Sequence, residues 1–145
     1  MSPTMDGRGQ TYDLVLGLDE QTAEDVARLY TLVGWGESYS VDEVRQALLD
    51  TQSVIRAVTS AGETIGFARI FGDGRYYTCI GELVVHPDWQ GRGIGTALLS
   101  RACELYGRSP IFLETFRGRE GFFERSGFNA KAEMVVMSKR KSEGS

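Results

Sequence analysis

The chain has 145 residues, 41% hydrophobic and 25% charged, with a net charge of −4. That length suits one domain around a single core, and the mild acidity argues against nucleic acid as the main partner. No window approaches the roughly 20 apolar residues of a membrane span, and Met1–Gln10 holds no apolar run of the signal-peptide kind, so a cytoplasmic protein without a membrane partner is expected.

Residues 1–10 are polar and are expected to be loose; residues 11–138 are expected to form one domain, followed by a polar tail, 139–145, that carries Lys139-Arg140-Lys141. Tyr12 to Leu16 alternates as a first strand. Thr22 with Asp25 signals a helix start, and Val26, Leu29, Tyr30 and Val33 fall on one helical face. Gly34-Trp35-Gly36-Glu37-Ser38-Tyr39 breaks that helix. Ser40 with Glu43 is a capping box for a second one, with Val44, Ala47 and Leu48 on its apolar side. Trp35 and Tyr39 are large aromatics in a loop. They serve either as packing beneath the helices or as the wall of a substrate pocket.

Val54–Thr59 and Thr64–Phe71 read as a hairpin, and Gly72-Asp73-Gly74 as a second turn. Thr78–Val85 is the next strand, apolar apart from Glu82. Cys79 there and Cys103 further on suit reduced, buried thiols better than a disulfide framework. Ile94, Ala97, Leu98, Ala102 and Leu105 make a helical stripe that Gly107 ends. Ile111–Leu113 is expected to pair in parallel with the previous strand through a right-handed crossover. Gly118–Ser126 predicts a short helix with Phe122 and Phe123 inward, and Met134–Met137 a last strand. The order β-α-α-β-β-β-α-β-α-β predicts a mixed α/β fold with antiparallel hairpins and one parallel βαβ unit.

Between that strand and helix lies His86-Pro87-Asp88-Trp89-Gln90-Gly91-Arg92-Gly93-Ile94-Gly95-Thr96. Its alternating glycines clear space for something that approaches the backbone, and the N–H groups of a helix's first turn have no intrahelical partner. An anion cradled by backbone amides follows. A Walker-type loop fails, because Gly95 is followed by Thr96-Ala97 rather than Lys-Ser or Lys-Thr. A dinucleotide fingerprint fails on topology, because too little chain remains for the βα units it needs.

Val85-His86-Pro87 followed by Gln90-x-x-Gly93-x-Gly95, with Phe122-Phe123-Glu124-Arg125-Ser126-Gly127-Phe128 later, resembles the GNAT superfamily of acyl-CoA-dependent N-acyltransferases. The likeness covers residues 12–138. Val33–Gly36, Gly72–Gly74 and Gly81–Val85 look similar to a bacterial and plastid subgroup that includes the plant serotonin N-acetyltransferases. The resemblance implies a mostly antiparallel sheet of about six to seven strands flanked by about four helices. It also implies a central parallel pair splayed at the acyl-CoA site. It implies acetyl-CoA as donor, with its pyrophosphate on the N–H groups of Gly91, Arg92, Gly93, Ile94, Gly95 and Thr96 and with Gln90 also at the cofactor. The pantetheine arm would run along Leu83, Val84 and Val85, with Phe122 and Phe123 also at the cofactor. No metal is implied, and a homodimer is common in the family.

An aliphatic amine is an ammonium at neutral pH and must lose a proton before it attacks. Glu82, the one carboxylate in the apolar strand, is the expected base; the competing reading pairs it with an arginine such as Arg69 or Arg75. His86 precedes a proline and suits a turn. Many relatives carry Tyr at the position of Phe123 to protonate the departing thiolate. Here Tyr76, Tyr77 or Tyr106 would serve, or the thiolate leaves unassisted. The expected activity is acetyl transfer to a primary amine of a small molecule, with Trp35 and Tyr39 at the acceptor. The alternatives are an acyl-CoA-binding regulatory module and a protein or peptide N-acetyltransferase.

Overall fold

Segments rich in apolar and β-branched residues build a six-stranded sheet in a computed structural model that describes residues 4–142. Residues 1–3 of the expected loose segment and 143–145 of the expected tail lie outside the described residues. The strands are β1 (Thr4–Met5), β2 (Thr11–Leu16), β3 (Ser53–Thr59), β4 (Thr64–Gly72), β5 (Thr78–Val85) and β6 (Ile111–Leu113). The helices are α1 (Thr22–Leu32), α2 (Val41–Leu49), α3 (Ile94–Tyr106) and α4 (Glu120–Glu124). Strand order in the sheet follows chain order. Every neighbouring pair is antiparallel except β5 and β6, which run parallel with α3 as the crossover. The chain divides into one compact unit that ends at Leu113, holding the whole sheet, and another that begins at Glu114.

Side chains alternate across a strand, so the contacts of Gly66 and Phe67 assign the two faces of the sheet. A Cβ added to Gly66 would meet Leu98 and Ile94 of α3. Phe67 instead joins a core with Ala23, Val26, Leu29 and Tyr30 of α1 and Val44 and Leu48 of α2. Each fully buried Val, Leu or Phe among them contributes about 1.5–3 kcal/mol of transfer free energy. α1 is further pinned by Asp25, whose buried carboxylate accepts from the Thr64 N–H at 3.0 Å and from Arg28 at 2.8 Å. Arg56, also buried, donates to the Gly17 carbonyl and to Thr64 Oγ1. This polar network fixes where Tyr30 stands over the sheet.

Several expectations are corrected. Thr22 is not the cap of α1; Gln21 occupies that position, and the Thr22 hydroxyl is taken by Asp19, accepting its N–H and donating to its carboxylate. Ser40 does cap α2, accepting from the Glu43 N–H at 3.3 Å. Ala47 is exposed, and α2 packs through the buried Val44 and Leu48 and the partly buried Val41. On α3 Ile94, Leu98 and Ala102 are buried as expected and Leu99 is buried with them, while Leu105 is exposed. The segment expected to be loose pairs as a hairpin, Thr4 with Tyr12 and Met5 with Thr11. Met134–Met137 forms no strand, and its side chains are exposed. An apolar run has strand propensity but makes no strand without a partner. In the second unit, Phe122 and Phe123 lie on the five-residue α4, half-buried, their rings edge-to-face at 5.0 Å.

Candidate active site

β5 carries one residue more than β4 can pair. Ile80 faces Ile70 and Glu82 faces Arg69, so Gly81 is the extra residue of a β-bulge. A Cβ on Gly81 would lie 2.6 Å from the Phe71 ring, which is why glycine stands there. The bulge changes the phase of the strand. Ile80 lies with Ile70 on the α3 face, whereas Glu82 and Val84 lie with Arg69 and Phe67 on the α1 face.

Glu82 therefore meets the side chains of α1. Tyr30 Oη donates to Glu82 Oε1 at 2.6 Å, and Arg69 Nη1 donates to Glu82 Oε2 at 3.0 Å. Arg69 Nη1 also reaches Tyr30 Oη at 3.4 Å, and its Nε donates to Thr51 Oγ1 at 3.1 Å. The guanidinium lies 5.3 Å from the centroid of the Phe71 ring. Arg69 and Glu82 are only 16% and 22% exposed, so the pair is partly desolvated without being sealed. Burial, then the hydrogen bond to Glu82 and its charge, push the Tyr30 hydroxyl well above the usual phenol range, so it stays a donor. Burial opposes the charge of Arg69, but Glu82 and Tyr30 outweigh it and hold the guanidinium above its usual value. The arginine pairing that the sequence left open for Glu82 is thus present, with Arg69.

The loop after α1 folds onto the same cluster. Trp35 stacks on Tyr30 at 5.5 Å and 19°, and Tyr39 tilts against Tyr30 at 4.8 Å. Tyr39 Oη donates to the Trp35 carbonyl at 2.8 Å, and the Trp35 N–H to the Tyr30 carbonyl at 2.8 Å. Trp35 remains 47% exposed, so the aromatic group borders Glu82 through Tyr30 while keeping a surface toward solvent.

The β5–β6 ladder stops at Ile80 opposite Leu113, so residues 81–85 face no strand on that edge among the described residues. The Val84 carbonyl points toward β4, where a Cβ on Gly66 would come within 3.0 Å of it. By alternation, Leu83 and Val85 turn their N–H and C=O groups to the open edge. Gln90 Nε2 donates to the Val85 carbonyl at 3.0 Å, which ties the next loop to this edge. His86 Nδ1 accepts from the Asp88 N–H at 3.0 Å and caps the 3-10 turn Pro87–Trp89, a turn role.

Gly91 and Gly93 have φ of 75° and 89°, and an added Cβ at either would meet nothing within 4 Å. Gly93 precedes α3, whose N-terminus has no side-chain cap. Among the described residues, the N–H groups of Gly91, Arg92 and Gly93 make no hydrogen bond within the protein. Arg92 does not leave its charge free beside them. Its guanidinium lies 3.2 Å from Asp6 Oδ2, donates to Gln10 Oε1 and covers the Trp89 ring at 4.7 Å.

Glu82, Trp35 and Tyr39 are thus brought together, as are Gln90 and Val85. Phe122 and Phe123 belong to the second unit. Tyr30, Asp6 and Gln10 were not singled out by sequence reasoning. For Tyr30 the signal was the hydroxyl itself, because a tyrosine inside an apolar stripe needs a partner for its O–H when buried.

Residues 51–130 match the family model for an acetyltransferase (GNAT) domain. The chain belongs to the GNAT acetyltransferase family. It is similar to the chloroplastic serotonin N-acetyltransferase 2 of Oryza sativa subsp. japonica, with 37% identity over 75 residues, 50% of this chain and 38% of that protein. Among solved structures it shares its fold with a GNAT family acetyltransferase from Streptococcus pneumoniae TIGR4, at a TM-score of 0.70 and 23% identity over 89% of this chain and 99% of that one. It does so also with an aminoglycoside N-acetyltransferase in complex with CoA, at a TM-score of 0.67 and 19% identity over 92% of this chain and 98% of that one. The curated relatives are longer, and the chain spans 38% to 63% of their lengths.

Proposed function

We propose that this protein transfers an acetyl group from acetyl-CoA to a primary amine of a small molecule. One observation carries the reading. The unpaired edge at Leu83 and Val85 is followed, after the 3-10 turn Pro87–Trp89, by an uncapped helix N-terminus, with Glu82 on the same strand. An open strand edge succeeded by free N–H groups at Gly91 to Gly93 suits a linear ligand with a pyrophosphate at one end. The open space at Gly91 and Gly93 leaves room for it. Acetyl-CoA supplies an activated thioester carbonyl. The N–H groups of Gly91 to Thr96 hold the pyrophosphate, and the edge groups of Leu83 and Val85 hold the pantetheine arm. Gln90 contributes by fixing the loop on Val85.

Glu82 is the group that takes the ammonium proton, through a water at its exposed side. Arg69 and Tyr30 fix its two oxygens in place. Trp35 and Tyr39 border the acceptor, and their packing on Tyr30 favours a small amine over a peptide. The names of two relatives, a serotonin and an aminoglycoside N-acetyltransferase, point the same way. The thiolate leaves unassisted, since Phe123 cannot donate a proton. The free thiols Cys79 and Cys103 suit a reducing, cytoplasmic compartment.

A second reading, acyl-CoA binding without turnover, draws on the Arg69–Glu82 pair, which satisfies the carboxylate without a substrate. Thiol release from acetyl-CoA across a panel of small amines separates the two. Amine-dependent CoA release supports the enzyme; tight acetyl-CoA binding with no release from any amine sinks it. In Glu82→Gln, kcat is expected to fall by about two to four orders of magnitude. Retention of the parental rate and pH profile would remove Glu82 from the chemistry.

A further inference from the structure

The glycine turn is held from outside by a segment more than eighty residues earlier in the chain. Asp6 organises the turn between β1 and β2, with Oδ1 accepting the N–H groups of Arg8 and Gln10, each at 2.8 Å. Its other oxygen, Oδ2, takes Arg92 Nη1 at 3.2 Å, and Gln10 Oε1 accepts from the same nitrogen. The Gly7 N–H donates to the Arg92 carbonyl at 3.0 Å. Arg92 is thus gripped at both its backbone and its side chain, and the Asp6 side chain is wholly buried against it. Burial opposes the charge on Asp6, but the Gln10 and Arg8 amides and the Arg92 guanidinium hold its carboxyl below the usual carboxylate range.

Arg92 sits between two glycines in left-handed conformation. Glycine loses more backbone freedom on ordering than any other residue, so Gly91-Arg92-Gly93 would wander without an anchor. The grip falls on the single residue of that triplet that has a side chain to hold.

We propose that the Asp6–Gln10 turn is a brace that keeps the glycine turn ordered before its ligand arrives, with Asp6 as a positioning residue for acyl-CoA. The second clause rests on the acetyltransferase reading. The guanidinium acts through this brace and not through the phosphates. Without the brace the turn must order itself at the moment of binding, which weakens affinity. Glu82, Tyr30 and Arg69 touch none of these residues, so turnover at saturation is unaffected.

Asp6→Asn is the decisive variant. Asn keeps an oxygen for the Arg8 and Gln10 amides, and asparagine favours such turns, but it presents no charge to Arg92. Gln10→Ala is a milder second variant. The backbone order parameters of the Gly91–Gly93 amides in the full chain without ligand are expected to fall from the rigid range, about 0.85, to below about 0.6 in Asp6→Asn. Calorimetry with CoA is expected to show Kd rising by about five- to tenfold, with KM for acetyl-CoA following and kcat within about twofold of the parent. Unchanged order parameters over Gly91–Gly93 in both variants overturn the brace. Lower order parameters with an unaltered CoA Kd overturn the second clause and make Asp6 structural only. If the parent binds no CoA, the cofactor reading fails together with the second clause, while the order parameters still decide the brace.

Discussion

The glycine turn and the Glu82 cluster lie at either end of the same short stretch of chain and are built in opposite ways. Around Glu82 the chemistry is made of side chains. Tyr30 and Arg69 both donate to Glu82, and Arg69 donates to Thr51 as well. At Gly91–Gly93 the chemistry is made of backbone, and its N–H groups have no acceptor among the described residues. The first arrangement stores orientation and the second stores vacancy. On the proposed reading, a carboxylate that takes a proton repeatedly benefits from being fixed, whereas a seat for a charged ligand benefits from donors that have nothing else to bind. The turn's order must then come from its surroundings, and Arg92 provides the attachment point.

Three substitutions would break or sharpen this contrast. Gly81→Ala is expected to have the largest effect on stability. Its methyl meets the Phe71 ring at 2.6 Å, so the ring must leave the Arg69 guanidinium. A loss of about 1–3 kcal/mol in chemical denaturation is expected, with activity falling further because Glu82 is re-aimed. Wild-type stability and activity together would mean that the ring yields freely and the bulge is not constrained.

Tyr30→Phe removes the donor to Glu82 and keeps the aromatic packing with Trp35, Tyr39 and Phe67. A loss of about 1–3 kcal/mol is expected for the hydrogen bond to a charged group, together with a fall in kcat larger than any change in KM for acetyl-CoA. A variant with altered KM alone would place Tyr30 on the cofactor side of the comparison.

Gly93→Ala should cost least in stability, about 1–2 kcal/mol, from the left-handed backbone alone, since open space surrounds the position. The methyl occupies the space assigned to the pyrophosphate, so CoA titration should show a much weaker Kd while kcat is little changed. Equal CoA affinity in Gly93→Ala and the parent would move the phosphate seat elsewhere.

The turn was legible in the sequence because glycine at alternate positions reports a backbone requirement directly. Glu82 was legible for a related reason, as a charge inside an apolar strand demands either a partner or a task. Its partners Arg69 and Tyr30 were not readable, because the parity of β5 puts Glu82 on the face of Ile80 until the bulge is known. Tyr30 was hidden by its neighbours: at helical spacing among Val26, Leu29 and Val33 it reads as core, and it is core as well. Asp6 and Gln10 were hidden by distance along the chain, since nothing local in a polar leader announces a contact with Arg92. Met134–Met137 misled because strand propensity describes a surface ready to be paired and carries no information about a partner.

The inserted residue in β5 has a consequence for the sheet as a whole. A parallel pair fed by a helical crossover ordinarily zips along its common length, and β6 joins β5 from Thr78 only as far as Ile80. The next residue is Gly81. One supernumerary glycine thus coincides with the point where a growing sheet stops growing, and the opening beside β5 begins where a regular strand would have continued. Deleting Gly81 would restore an unbroken pleat without moving any apolar residue to the wrong face. The cost would be the opening itself, since a strand without its kink offers its edge to another strand before it offers it to a ligand.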